Sequence, residues 1–176
     1  MTAPPAPTLP VFKPGYMPSD ADLNTWWYDN AWFLSTRVVF RARQISTAQS
    51  IPYGAQDTPI QFDTIDEDPY GGWNPANYRW QAPVSGWYQV NVLAFVSGLA
   101  TGATVTPQIL TGAYIYNLAQ NLPSDGHNGG ARGTFAVYMT GGSDSVAGAV
   151  TVTNTGVTTS ILSGQRSAME ITWLSD

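Results

Sequence analysis

A chain of 176 residues with 17 glycines, 13 prolines and no cysteine has room for one domain with an appendage, and it contains nothing to build a disulfide or thiolate-metal staple. Seven basic residues against twelve acidic ones, a net charge of -5, offer phosphates no positive field and argue against a nucleic-acid partner. Only 11% of positions are charged, and turn formers separate the apolar runs, a texture of many short strands and not of a helical bundle.

Residues 1–18 carry six prolines, which remove backbone donors and favour extended chain, so this stretch reads as an arm with Phe12 and Tyr16 as its large side chains. A solvated tail is the alternative for such a composition. The start has neither a basic nor an apolar leader segment, so no signal peptide is expected and synthesis in the cytoplasm of a host cell follows.

Residues 19–36 change character. Ser19 followed three residues later by Asp22 is a capping-box-like start, and it predicts a helix from about Asp20 to about Leu34. Leu23, Trp26, Trp27, Ala31 and Leu34 share one face, whereas Tyr28, Trp32 and Phe33 lie off it. Trp26, Trp27 and Trp32 either pack the helix on its own domain or anchor it in a partner.

From residue 37 to residue 176 the apolar period is two. It shows in "VVFRARQ", "IQFD", "WYQVNVLAFV", "TFAVYM", "VAGAVTVTN" and "SAMEITWL", with weaker runs at 50–53, 78–81, 104–110 and 113–118. About nine or ten strands result, which predicts an all-β, two-sheet antiparallel sandwich behind the arm and the one short helix. The uncharged stretch from Trp80 to Ser124 is broken by Pro83, Gly86, Gly98, Gly102, Pro107 and Gly112, so it reads as buried sheet and no membrane partner is expected.

The strand from Gly86 to Ser97 is apolar on both faces. Tyr88, Val90, Val92, Ala94 and Val96 form one row, while Trp87, Leu93 and Phe95 stand on the other among Gln89, Asn91 and Ser97. A sandwich strand ordinarily shows water a polar face. Trp87, Leu93 and Phe95 are therefore expected to be covered, by the helix or by another copy, and are the candidate oligomer interface.

Several of these segments resemble one family when taken in order. They are "VVFRARQ"; "IQFD" with Phe62 and Asp63; "YGGWN" with Gly72, Trp73 and Asn74; "YRWQAPVSGWYQV" with Trp80, Ala82, Pro83, Ser85, Gly86 and Tyr88; and "GTFAVYMTGGSDSVAGAVTV". Over roughly residues 38 to 176 the chain resembles the trimeric jelly rolls of the complement-globular-head and tumour-necrosis-factor-like class. That resemblance implies a jelly-roll sandwich and a homotrimer. The last strand departs from the family pattern, with Met169 and Ile171 where an aromatic and a glycine are common. The opening "LPVFKPGYMPSDADLNTWW" is similar to the openings of small virion proteins of tailed bacteriophages that infect actinobacteria, which implies a minor capsid or minor tail component.

Asp63, Asp66, Glu67 and Asp68 cluster densely enough to ask about calcium, without the spacing of a known loop, and a solvated turn is the bland alternative. Tyr70, Trp73 and Tyr78 could form an aromatic platform for sugar rings, although core packing also claims such residues. His127, the only histidine, sits with Ser124 and Asp125 in a loop of turn formers, a poor scaffold for a triad, and Glu67 and Glu170 are the only glutamates. No phosphate-binding loop or metal-ligand motif occurs, so no cofactor is expected. The reading that results is a non-enzymatic, self-associating virion protein on the capsid surface, bound to the major capsid protein through its arm. The alternative is a minor tail protein that recognises a receptor or glycan.

Overall fold

The computed structural model describes residues 19, 38–52, 54–118, 128–153, 158–162, 164 and 167–175. The expected arm and helix, with Phe12, Tyr16, Trp26, Trp27 and Trp32, and the loop holding His127 lie outside the described residues.

The described chain begins with β1 (Val38–Gln44), β2 (Gln49–Ile51), β3 (Thr58–Pro59), β4 (Thr64–Glu67), β5 (Trp73–Asn74) and β6 (Arg79–Gln81). It continues with β7 (Gly86–Ser97), β8 (Thr104–Leu110), β9 (Ile115–Asn117), β10 (Asn128–Met139), β11 (Ser145–Thr153), β12 (Thr159–Ile161) and β13 (Ser167–Ser175). Among the described residues there is no helix, and so none long and apolar enough to cross a membrane.

Every pairing is antiparallel, and the strands form two sheets. In sheet A the long β7 pairs along its whole length with β10, from Gly86 opposite Met139 to Ser97 opposite Asn128. Its other edge takes β13 and then β12, and beyond them lie β1 with β4, and β2. Sheet B runs β5-β6-β11-β8-β9, with β3 also on β11. One hydrophobic core lies between them, as alternation requires: Tyr88, Val90, Val92, Ala94 and Val96 of β7 are all buried, with Phe40, Met169 and Ile171 from sheet A and Val105, Ile109, Val146 and Val150 from sheet B. Burying each such large side chain stabilises the fold by about 1.5–3 kcal/mol.

Aromatic packing closes one end of the core. Trp73 stacks on Phe40 at 5.3 Å between ring centroids, and Trp80 meets Tyr88 edge-on at 5.7 Å. Tyr88 donates its hydroxyl proton to the carbonyl of Val84 at 2.7 Å, which fixes the Pro83–Ser85 corner. Gly86 then starts β7 at φ +153°, where a Cβ would lie 2.5 Å from the carbonyl oxygen of Ser175, so only glycine fits.

Two strand boundaries differ from the sequence reading. "IQFD" is not a strand: Ile60 and Phe62 are buried, but the chain turns at Asp63, whose carboxylate accepts the backbone N–H groups of Ile45, Ser46 and Thr47, and β4 begins one residue later. At the other boundary, β10 starts at Asn128, six residues before "TFAVYM", because Gly129, Gly130 and Gly133 interrupt its apolar alternation without interrupting its pairing with β7.

Candidate functional site

The outward face of sheet A carries the odd-numbered residues of β7. Trp87 is 44% exposed and Leu93 36%, and Leu174 on β13 is 46% exposed. Phe95 is half-buried for a reason internal to the chain: its ring lies over Gly130, its cross-strand partner, where an added Cβ would come within 2.6 Å of the ring. Thus the expected apolar row exists. Leu93 and Trp87 stay open, while Phe95 is largely accommodated by the missing side chain opposite.

Between these apolar groups a polar ladder crosses five strands. Thr134 donates to Asn91 Oδ1 at 2.6 Å, and Arg41 donates through Nε and Nη2 to Glu170 Oε2 at 2.9 and 2.7 Å. Arg41 also reaches Glu67 at 3.5 Å. The guanidinium of Arg41 is held above its ordinary range, chiefly by the hydrogen bonds it donates to Glu170. Asn91, Leu93, Arg132, Thr134, Ala168 and Glu170 line a shallow trough of about 550 Å³ on this face. The ladder satisfies most of its own donors and acceptors, and among the described residues Arg132, opposite Leu93, has no ion-pair partner.

A second surface lies around the corner. β10 is the edge of sheet A and β9 the edge of sheet B, and between them opens a cleft of about 540 Å³. Tyr116 stacks on Phe135 at 4.5 Å and 26°, Trp87 meets Tyr138 edge-on at 5.7 Å, and Tyr114 stands 66% exposed at the mouth. Thr111, Asp144 and Ser145 complete the rim. Trp87 thus belongs to this cleft as much as to the sheet face. Sequence reading passed over Tyr114, Tyr116, Phe135 and Tyr138; the available signal was "YIY" beside a turn, with a phenylalanine and a tyrosine three residues apart on one strand.

The acidic cluster is divided among separate tasks. Burial pushes the Asp63 carboxyl up, but three backbone N–H groups and the Thr64 hydroxyl outweigh it and hold the group below the usual range. Asp66 is held low by its two-pronged pairing with Arg43, and Glu67 faces Arg41. Asp68 accepts the backbone N–H groups of Gly72 and Trp73 at 3.0 and 2.9 Å and Trp80 Nε1 at 3.2 Å. Among the described residues no group of three or more acids and histidines converges on a point where a metal could sit.

The proposed sugar platform does not assemble as a surface. Trp73 and Tyr70 are half-buried against the core, Trp73 between Phe40 and Phe62, because the Asp68 turn folds them inward. Tyr78 occupies a left-handed turn position at φ 56°.

No family model and no curated protein matches the chain. Solved structures share its fold at low identity. The globular domain of a zebrafish complement 1qA protein is 15% identical with a TM-score of 0.56, over 78% of this chain and 97% of that one. The Eiger TNF of S. frugiperda is 14% identical with a TM-score of 0.54, over 80% of this chain and 94% of that one. The sandwich is therefore a jelly roll of the complement-1q and TNF type; identity this low speaks to fold alone.

Proposed function

We propose that the chain is a non-enzymatic structural protein of a bacteriophage particle, self-associating as a homotrimer and held on the capsid surface as a decoration or minor capsid protein. One observation carries the self-association: an outward sheet face on which Leu93, Trp87 and Leu174 are exposed, while Thr134 is bonded to Asn91 and Arg41 to Glu170 between them. Such a face gains from being covered where a partner also offers an acceptor to Arg132, which stands opposite Leu93. The fold shared with a complement globular domain and a TNF supports this reading. The virion assignment draws its support from the proline-punctuated opening "LPVFKPGYMPSDADLNTWW".

Gold labelling or cryo-microscopy of phage particles tests the location. Density on the capsid shell is expected, and density on the tail would replace the decoration role with that of a minor tail protein. The attachment role of the arm is tested by deleting residues 1–18. The shortened chain is expected to fold and self-associate but to lose particle binding, and undiminished binding would remove the arm from the account.

A further inference from the structure

We propose that the cleft between β9 and β10 binds a neutral saccharide. This goes beyond the structural role and shares only Trp87 with the face proposed for self-association. Four observations lead there.

First, Phe135 lies on the inward row of β10, where Ala131, Val137 and Met139 are buried, yet it is 43% exposed. The fold leaves this large apolar ring partly in water and stacks it on Tyr116. Across the strand the Trp87 and Tyr138 pair is fixed in the same way. Rigid rings with open faces suit the flat C–H faces of a pyranose and lose little entropy on binding.

Second, the volume of about 540 Å³ falls inside the range of roughly 300–1,000 Å³ that small-ligand sites occupy. Third, the rim is polar and already shaped. Thr111 Oγ1 accepts the N–H of Tyr114 at 2.9 Å and donates to its carbonyl at 3.1 Å, and Asp144 accepts the N–H of Thr140 at 2.8 Å. Along the floor, β10 pairs only with β7 among the described strands. Sugar hydroxyls satisfy polar groups at such a rim, whereas an apolar knob from a protein partner would strand them.

Fourth, the lining contains one carboxylate, Asp144, and neither lysine nor arginine. Uronates, sialic acids and phosphorylated sugars would meet a like charge there, and neutral sugars would not.

The test is an array of neutral and acidic oligosaccharides probed with the full chain. The neutral probe that binds is then titrated by calorimetry and by Trp fluorescence. Binding to neutral probes is expected, with affinity reduced about tenfold or more, equivalent to about 1.4 kcal/mol, in each of Tyr114→Ala and Tyr138→Ala. Light-scattering mass should be unchanged in Tyr114→Ala, whose side chain lies away from the outward face of sheet A. The proposal is overturned if no neutral probe binds, if only acidic probes bind, or if both variants bind as tightly as the unmodified chain. It is also overturned if Tyr114→Ala changes the mass, which would give the cleft to a second copy. A monomeric unmodified chain that binds sugar would sink self-association alone.

Discussion

Two regions of this molecule are rich in tyrosine, tryptophan or phenylalanine, and the fold treats them in opposite ways. In residues 63–80 nearly every polar group is tied to another part of the same chain: Asp63 to three backbone amides, Asp66 to Arg43, and Asp68 to two amides and the buried Trp80 indole. At the β9–β10 edge, Tyr114, Phe135 and Tyr138 are exposed around a cleft. Density of aromatic and acidic residues therefore does not mark a binding site by itself. What separates the two is whether neighbouring parts of the chain close over the rings.

The sharpest way to break this contrast is to remove its hub. Asp68→Ala strips the acceptor from two loop amides and from Trp80 Nε1, and Trp80 is wholly buried. A loss of about 2–4 kcal/mol is expected in urea unfolding, because a buried donor left without a partner costs its desolvation. A near-neutral result would mean the loop is not held as described.

A smaller effect comes from Asp63. Its folded-state pKa is depressed, so it contributes stability that is present above its unfolded pKa of about 3.9 and lost as pH falls through the lower folded value. Replacing it by Asn should give a stability difference that is constant from about pH 7 down to about pH 5 and shrinks below about pH 4. Urea titrations across that range check it, and a difference that grew on acidification would reverse the assignment. Smallest of all, Tyr114→Ala at the exposed edge should change stability by less than about 0.5 kcal/mol, the mark of a side chain that serves something other than folding.

Much of the sandwich was legible because its strands obey the period-two rule: β7, β8 and β13 fall where alternation put them. The short β3, β4, β5 and β12 were not, since two to four residues carry too little periodicity, and the start of β10 was hidden by glycines whose missing side chains make room for Leu99, Phe95 and Leu118. Of the interface candidates, Trp87 and Leu93 were found on the open face and Phe95 half-covered by its own chain. The cleft was missed because its walls come from strands distant in sequence, joined only by the pairing of β7 with β10 and by the meeting of the two sheet edges. No local pattern encodes such a meeting.

Self-association through the outward face of sheet A is tested most directly by static light scattering on the purified chain, alongside Leu93→Asp. The unmodified protein should show three times its chain mass of 19.0 kDa, and the variant, folded by circular dichroism, should show the mass of a single chain because a charge is disfavoured in a desolvated contact. A single-chain mass for the unmodified protein, or an intact trimer with Asp at position 93, would contradict it.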